Sequence, residues 1–431
     1  MEPRKASVAL LYNGKNATAQ VSPYLASFTY TDVSSGSSDT ISVELNDRDR
    51  KWIGPWFPQK GDRLKPTIRT QNWDVDNIKT SFLCGAFCVD DFSFKGNPIK
   101  MSLDGVAIPA TSSFKSTKRT QTYEKTNLKE IGQKVAERAG IALFYEAKEM
   151  TIEKVEQNDQ DDCSFYNSLV TKYGLAMKIF NDKIVIFDEA TYEQKPTIAT
   201  LTEKDFDPNW SWNTSLAGTY TGVKYEYTNS KKNKTFTVEA GDGDRILTCN
   251  EAAENLTEAT AIALAALNSA NKGTTTLNIT LKGRWYIFAT ACVQIVGLGQ
   301  LSGKYYVEKA IHTLGDSGYK TALKLRKVEE RITEVKTQSS TVAERSKSKK
   351  SSSSKKSSSS SSSTPSKGDT YELKTTKKGY YTAAEAAAGQ VKPGNPSGVR
   401  RPGTYYVFNT SQGMLNLTTA KSVPGSWINP N

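Results

Sequence analysis

The stretch that decides the fold is residues 305–328, which read Tyr-Tyr-Val-Glu-Lys-Ala-Ile-His-Thr-Leu-Gly-Asp-Ser-Gly-Tyr-Lys-Thr-Ala-Leu-Lys-Leu-Arg-Lys-Val. The sequence Gly-Asp-Ser-Gly at 315–318 is a turn signal between two strand-like runs, which predicts a β-hairpin. In the second arm, Thr321, Leu323 and Leu325 share one face of the strand, and the residues between them share the other. This alternation predicts that one face of the hairpin is buried and the other exposed.

The first arm contains His312, the only histidine of the chain. Catalysis by a histidine needs a nucleophile or substrate within reach and a third group that orients the ring. The surrounding sequence supplies neither a nucleophile nor an orienting group. We therefore interpret His312 as a structural imidazole at a strand end, and we predict no catalytic residue there.

The positive charge of the chain is concentrated in its last hundred residues. The formal net charge is +12, yet residues 1–331 contain 42 Lys and Arg against 40 Asp and Glu, whereas residues 332–431 contain 15 against 5. Nucleic-acid binding needs a clustered basic surface. The near-neutral residues 1–331 therefore predict no specific nucleic-acid partner.

Cysteine usage and hydropathy favour a soluble protein made in a reducing compartment, because the five cysteines are few and scattered. Cys84 and Cys88 are expected on one face of a strand. As no second pair follows, we interpret them as small core residues rather than zinc ligands. The N-terminus lacks a signal-peptide pattern, and the apolar run 259–267 is too short to span a membrane.

No motif predicts a cofactor or a metal ion. Residues 297–303 contain three glycines, but the third comes one position late for a dinucleotide loop and a strand follows, so we interpret the segment as a turn. The pairs Asp205 with Asp207 and Asp242 with Asp244 lack the full oxygen ligand set that calcium needs. Spacing singles out no carboxylate pair for glycan hydrolysis.

Changes in composition divide the chain into five segments. Residues 1–110 alternate in polarity and predict a β domain. Its Trp-, Pro- and Gly-rich loop at 51–64 is expected to pack across a barrel mouth or against a partner. Residues 111–195 predict an α+β insert, and residues 196–331 predict a second β domain that includes one Ala-rich helix at 257–271.

The insert carries its own start and stop signals. Asn127 is the expected N-cap of a helix that ends at Gly140, and a second helix is expected from Asp161 or Asp162 to Gly174. Residues 176–187 then predict two strands around a turn at 181–182. The insert is therefore a small α+β unit.

The remaining two segments are a linker and a small module. Residues 332–368 are dominated by Ser and Lys, cannot bury apolar area, and predict a disordered, flexible linker. Residues 369–431 are aromatic and Gly-rich, and they predict a folded module with a short helix at 382–388 and a strand at 404–408. The predicted fold class is α+β, mainly β, with two β-barrel-like domains flanking the insert, followed by the linker and the β-rich C-terminal module.

The order and spacing of several segments resemble the late control D family of phage tail proteins, which are baseplate hub proteins of contractile phages and phage-tail-like bacteriocins. The resemblance covers most of residues 1–330. It is carried by Ser42-Val43-Glu44-Leu45-Asn46-Asp47 with Trp52 and the turn 58–61, by Asp162, Phe165, Leu169 and Gly174 leading to residues 183–186, and by Gly283-Arg284-Trp285, residues 293–303 and the hairpin.

This resemblance implies a nonenzymatic homotrimer whose subunits each contribute two similar β domains to a pseudo-sixfold ring. It implies partners as well: a tail tube or tube-initiator protein, a central spike protein and other baseplate proteins. The expected location is the baseplate of a virion or phage-tail-like particle assembled in the bacterial host cytoplasm.

The C-terminal module resembles the small SH3-like or LysM-like domains that bind bacterial cell walls. Its Gly368-Asp369-Thr370 precedes the first strand, whereas a LysM domain has such a sequence after it, so the type of module stays open. Exposed aromatic faces bind sugar rings. The candidate glycan-binding residues are Tyr380, Tyr381, Tyr405, Tyr406, Phe408 and Trp427, although the alternative that some form a small core stays open.

Two functional hypotheses follow. The first is a structural baseplate hub that carries a tethered module binding peptidoglycan or a wall polymer. The second is a tail-associated peptidoglycan hydrolase. The absence of a Cys/His pair or a zinc-ligand cluster in the sequence argues against amidase and endopeptidase chemistry, so we favour the first.

Overall fold

Alternating apolar and polar residues make β-strands the main element of the protein. The computed structural model describes residues 3–108, 113–341, 365, 367–392, 398–420 and 423–430. The chain divides into two compact units, Met1–Arg345, here called the body, and Ser346–Asn431, here called the C-terminal unit. Across the described residues, no helix is long and apolar enough to cross a bilayer.

The strands and helices are numbered in chain order. The strands of the body are β1 (Lys5–Tyr12), β2 (Lys15–Asn16), β3 (Leu25–Val33), β4 (Thr40–Asn46), β5 (Arg63–Gln71), β6 (Lys79–Leu83), β7 (Phe87–Lys95), β8 (Lys100–Val106), β9 (Lys118–Asn127), β10 (Ala142–Glu146), β11 (Thr151–Asp161), β12 (Ala176–Phe180), β13 (Lys183–Phe187), β14 (Thr197–Leu201), β15 (Ser211–Thr214), β16 (Gly222–Asn229), β17 (Lys234–Gly241), β18 (Ile246–Cys249), β19 (Thr275–Lys282), β20 (Cys292–Ile295), β21 (Gly303–Gly315), β22 (Gly318–Lys327) and β23 (Val335–Thr341). Its helices are α1 (Thr18–Val21), α2 (Ser113–Ser116), α3 (Leu128–Ala139), α4 (Asp162–Lys172), α5 (Glu189–Gln194) and α6 (Leu256–Asn271). The C-terminal unit contains β24 (Thr370–Leu373), β25 (Lys377–Gly379), α7 (Ala383–Ala388), β26 (Gly398–Arg400), β27 (Gly403–Ser411), β28 (Met414–Thr418) and β29 (Ser426–Ile428).

The predicted hairpin at 305–328 is confirmed as the β21–β22 pair, which turns between Gly315 and Gly318. Thr321, Leu323 and Leu325 are buried on one face, as the alternation predicts. The hairpin lies in the middle of a 14-stranded sheet whose main path runs β15-β19-β22-β21-β3-β4-β8-β7-β5-β1-β2. It therefore joins strands from both β-rich segments.

The protein is mainly β with helices, as predicted, but among the described residues no sheet closes into a barrel. Instead, β21 pairs with β3, so that the strands of the two predicted β domains continue one sheet. Alternation along one strand shows which of its faces is buried, but it carries no information about which distant strand lies beside it. The joined sheet was therefore not visible in the sequence.

The capping signals of the insert are confirmed. The side chain of Asn127 accepts a hydrogen bond from the N–H of Glu130 at the start of α3, and Gly140 ends the helix in the left-handed conformation. Asp161 caps α4 in the same way. Asn and Asp tolerate positive φ, and both Asn181 and Asp182 adopt positive φ in the β12–β13 turn.

The predicted domain at 196–331 is divided between two cores. Three of its strands, β16, β17 and β18, belong to a separate four-stranded sheet. Helix α6 buries Ala259, Ile262 and Leu267 in the same core as Ile131 and Phe165 of the insert. Composition is similar on both sides of each division, which is why the sequence suggested one continuous β domain.

The predicted linker at 332–368 begins too early. β23, residues Val335–Thr341, extends the sheet β18-β16-β17-β23 by pairing with β17. An edge strand is held by backbone hydrogen bonds and needs few apolar side chains. The polar composition of β23 therefore did not indicate a strand. Beyond Thr341, the predicted linker lies outside the described residues except for residues 365, 367 and 368.

The C-terminal unit contains a four-stranded sheet, β24-β27-β28-β29, and a two-stranded sheet, β25–β26. Thr382 and Glu385 form a capping box at the start of α7, which confirms the predicted short helix. The predicted strand at 404–408 lies within β27. Leu373, Val407 and Leu415 are among the residues of a small apolar core between the strands.

Candidate functional site

The Trp-rich loop between β4 and β5 is organised by one buried carboxylate. Asp47 accepts hydrogen bonds from the backbone N–H groups of Trp52 at 3.0 Å and Ile53 at 2.9 Å. The ring of Trp52 is buried and meets the ring of Trp56 edge to face, with centroids 5.5 Å apart. Both tryptophans pack against the core beneath the sheet. This part of the loop therefore covers the protein's own core.

The next residue of the same loop contributes to an exposed surface. Phe57 is 52% exposed, and its ring contacts those of Phe92 and Phe94 on β7 at centroid distances of 5.3 and 5.9 Å. We call these three residues the aromatic trio. Phe92 and Phe94 are half-buried against the core, so the trio exposes one open ring and two partly covered ones. Aromatic rings grouped at a surface are typical of protein contact sites. Sequence reasoning anticipated such a surface in the loop but missed the two residues on β7.

His312 lies buried at the seam where β21 meets β3. Its Nδ1 is 2.8 Å from the hydroxyl oxygen of Tyr319, and its ring stacks on Tyr30 at 5.9 Å. Burial lowers the pKa of His312 to about 4, although the nearby carboxylate of Asp32 acts in the opposite direction. The ring is therefore neutral at physiological pH, with no access to solvent, as expected for a structural imidazole.

Beside this seam, a buried ion cluster ties the insert to the large sheet. The ammonium group of Lys178 on β12 contacts Asp32, the carboxylate of Asp39 at 3.1 Å and the carbonyl oxygen of Val33 at 2.7 Å. Burial raises the pKa of Asp39 to about 7, although Lys178 pulls it down. Because the partners belong to distant parts of the chain, this cluster could not be predicted from the sequence.

A second buried ion cluster joins β22 to α5. The guanidinium of Arg326 contacts Glu193 and lies 3.3 Å from Glu189, and Arg331 binds Glu193 through two hydrogen bonds of 2.8 Å. Burial raises the pKa of Glu193, but the two arginines outweigh it and hold that pKa below its usual value. Alternation placed Arg326 on an exposed face, and that expectation was wrong at this residue because Glu189 and Glu193 of α5 cover its guanidinium.

Two of the four carboxylates considered as calcium ligands form ion pairs. Asp205 lies 3.3 Å from Arg284, and Asp207 lies 2.8 Å from Lys320. Within the described residues, no group of three or more His, Cys, Asp or Glu side chains is placed to hold a metal ion. The segment 297–303 is a turn with a short 3-10 helix followed by β21, as predicted.

The two neighbouring cysteines are buried, as expected for core residues, but they do not share a strand. Cys84 follows β6 and Cys88 lies in β7. Between them the chain turns at Gly85, whose φ of +114° is unfavourable for other residues. The four-residue spacing therefore reflects a tight connection and not one continuous strand.

The six candidate glycan-binding residues do not converge on one face. Tyr380 is buried, and Trp427 packs against it in a second small core, while Tyr405 packs against the main core of the unit. Tyr406 is half-buried, and so is Phe408, with the ammonium of Lys367 5.7 Å from its ring. Alternation along β27 turns Tyr406 away from the core that Tyr405 enters.

Among these six residues, Tyr381 is the most open. Its side chain is 62% exposed, and it lies two residues after the end of β25. The structure therefore assigns at least Tyr380, Tyr405 and Trp427 to packing, whereas Tyr381 keeps a ring face available to a ligand. Their role in sugar binding stays a prediction.

Comparison with known proteins gives a consistent result. No family model matches the chain. The chain is 23% identical over 370 residues to the probable baseplate hub protein of Escherichia phage 186, which covers 73% of this chain and 91% of that protein. It is 22% identical over 385 residues to the probable baseplate hub protein of Escherichia phage P2. This alignment covers 77% of this chain and 94% of the phage P2 protein.

Solved structures with a similar fold are also tail proteins. The 43 kDa tail protein of prophage MuSo2 from Shewanella oneidensis superposes with a TM-score of 0.58 at 12% identity, over 75% of this chain and 98% of that one. The tail protein from Neisseria meningitidis MC58 superposes with a TM-score of 0.58 at 13% identity, over 75% of this chain and 96% of that one. The chain therefore shares its fold with these two tail proteins, and its sequence is similar to two probable baseplate hub proteins.

Proposed function

We propose that the protein is the structural baseplate hub of a phage or phage-like contractile tail, a homotrimer that joins the tail tube to the central spike. The observation that carries this proposal is the match to two hub proteins over more than nine-tenths of their length. The buried ion clusters around Lys178 and Arg326 fit an adaptor, because they lock the insert and the sheet into one rigid body.

The aromatic trio is the proposed contact with a neighbouring tail component. If it is, replacing the exposed Phe57 by Ser in the full chain should abolish assembly of tail particles while the purified protein keeps its thermal unfolding temperature. Phe144→Ser is the matched control, because Phe144 on β10 is also about half exposed, at 50%. Normal particle numbers with Phe57→Ser would contradict a contact through the aromatic trio.

The C-terminal unit is the proposed wall-binding module. Support comes from its excess of basic residues, from the exposed ring of Tyr381, and from the resemblance to SH3-like and LysM-like domains. We expect the full chain to sediment with purified bacterial cell wall, and less so at high salt, because salt screens exposed charges. A chain ending at Thr341, which retains β23, should lose this binding.

The alternative function is a tail-associated peptidoglycan hydrolase. The single histidine, His312, is too buried to act as its catalytic base. The imidazole of His312 is buried and neutral, with hydroxyl groups as its hydrogen-bond partners. A zymogram on cell walls tests the alternative directly: a cleared band from the purified chain would favour it over the structural hub.

A further inference from the structure

The buried cluster around Lys178 contains more negative than positive groups. Asp32 and Asp39 both contact the ammonium group of Lys178. The side chain of Lys178 is 9% exposed, that of Asp32 is 4% exposed, and that of Asp39 is fully buried. With both carboxylates ionised, the cluster would hold one uncompensated negative charge away from water, which is costly. A single proton added to the cluster would make it neutral.

The surroundings of the two carboxylates indicate where this proton is held. The ammonium group of Lys178 donates hydrogen bonds to Asp32 and to the carbonyl oxygen of Val33, and it meets Asp39 in an ion pair of 3.1 Å. The hydroxyl of Tyr30 lies 3.4 Å from Asp39 and is only a weak partner. Burial raises the pKa of Asp39 to about 7, although Lys178 acts in the opposite direction. Asp39 is therefore the better place for the proton.

The other titratable groups around Asp39 keep their charge state near neutral pH. Burial raises the pKa of the Tyr30 hydroxyl on β3 and that of the Cys84 thiol after β6, so both stay neutral. Burial lowers the pKa of Lys178, but the two carboxylates outweigh it and hold that pKa above its ordinary value. His312 on β21 is neutral in the folded chain, because its pKa is about 4. The charge that changes between about pH 6 and pH 8 is therefore that of Asp39.

The cluster lies where the insert meets the large sheet. Lys178 belongs to β12 of the insert, whereas Asp32 lies on β3 and Asp39 directly precedes β4. The connection between β3 and β4 touches the insert a second time, because the hydroxyl of Ser35 donates a hydrogen bond of 3.0 Å to Glu189. An unpaired charge buried at this junction would favour a state in which the junction opens and water reaches the carboxylate.

We propose that Asp39 carries a proton in the folded chain near neutral pH, and that loss of this proton in mildly alkaline solution loosens the junction between the insert and the large sheet. The junction is then a pH-sensitive latch. Because the pKa of Asp39 lies above its ordinary value of 3.8, the stabilisation from the proton is present at low pH and is lost as the pH rises through about 7. This inference is independent of the proposed hub function.

Infrared spectra of the purified full-length chain, recorded from pH 6 to pH 8.5, test the proton directly. We expect the carbonyl band of a protonated carboxyl group at pH 6, and its loss with a midpoint near pH 7. Asp39→Asn should lack the band. The matched control is Asp91→Asn, which removes an exposed aspartate of β7 and should keep the band. The titration of the wild type decides this point even if a variant fails to fold.

Hydrogen exchange measured by mass spectrometry tests the latch. The rates are corrected for the effect of pH on the chemical exchange of an open amide. Opening of the peptides that cover β12 and residues 32–39 should increase at least tenfold from pH 6 to pH 8.5, because each pH unit above the pKa multiplies the open population about tenfold. Asp39→Asn should remove this increase, since asparagine stays neutral. His312→Gln and Asp91→Asn should keep it.

Local exchange is the readout because global unfolding also responds to His312, whose protonation in the unfolded chain acts in the opposite direction. No carboxyl band in the wild type at pH 6, or an unchanged band in Asp39→Asn, would overturn the proton on Asp39. A band with pH-independent exchange at β12 would overturn the latch. An equal increase in exchange in β16 and β17, which lie outside the junction, would show a general loss of stability and would also overturn the latch.

Discussion

His312 illustrates how burial decides the role of a residue that the sequence singles out. Its rarity and its position in a strand were visible in the sequence, and a structural role could be predicted because catalytic partners were missing. What could not be predicted is the stacking on Tyr30 from β3, since that contact depends on the pairing of β21 with a distant strand.

The buried imidazole has a consequence for stability. The pKa of His312 is about 4 in the folded chain, against an ordinary value of 6.5. Between pH 6.5 and pH 4 the unfolded chain therefore takes up a proton that the folded chain does not, and stability falls as the pH falls through this window. The expected loss between pH 7 and pH 5 is about 2 kcal/mol.

His312→Gln should remove this part of the pH dependence, while assembly and wall binding at pH 7 should not change. Urea unfolding of the wild type and the variant at pH 7 and pH 5 measures it. An equally steep loss in both proteins would show that the depressed pKa of His312 is not its source.

Lys178 is the residue on which the insert cluster depends. Lys178→Met would leave Asp32 and Asp39 buried near each other without a cation, which should destabilise the fold by about 3–5 kcal/mol. Adding Asp39→Asn should restore part of the loss, because it removes one of the unpaired charges. The exposed Lys183→Met in the neighbouring strand β13 is the control. A change in the free energy of unfolding of less than about 1 kcal/mol would contradict a structural role for the cluster.

At the level of elements, the sequence predicted helix caps and turns well, because these features depend on neighbouring residues. The caps at Asn127, Asp161 and Thr382 and the turns at 181–182 and 315–318 were all legible, because each depends on a few adjacent residues. The exceptions were the burial of Arg326 and the strand β23, which arise from contacts with α5 and β17.

One packing detail within α3 leads to a test at this scale. A Cβ atom added at Gly132 would lie 2.1 Å from the hydroxyl oxygen of Tyr166, which donates a hydrogen bond to the carbonyl of Leu128. Alanine is the better helix former by about 1 kcal/mol, yet overpacking costs about 1–3 kcal/mol. Gly132→Ala should therefore destabilise the protein in thermal unfolding, whereas the exposed Gln133→Ala should not. A higher unfolding temperature for Gly132→Ala would show that Tyr166 moves aside freely.

For the whole molecule, the sequence predicted the order of segments but not how they combine. The resemblance to hub proteins and the unequal distribution of charge could both be found without coordinates. The continuous sheet through β3 and β21, and the core shared by the insert and α6, could not, because both depend on pairing between distant residues.

The Ser/Lys composition predicts that the two units are connected by a protease-sensitive segment. Brief trypsin treatment should cut between Arg345 and Lys367 and release a stable fragment that includes β23. Mass spectrometry of the fragments measures the positions of cleavage. A chain that resists trypsin between these residues would contradict the prediction of a flexible linker.

The central claim, a trimeric structural hub, is tested most directly by electron microscopy of the purified full-length chain. The account predicts class averages that show a ring with threefold symmetry, built from three chains of 47.4 kDa each. Particles that remain single chains at micromolar concentration, or assemblies with a symmetry other than threefold, would contradict it.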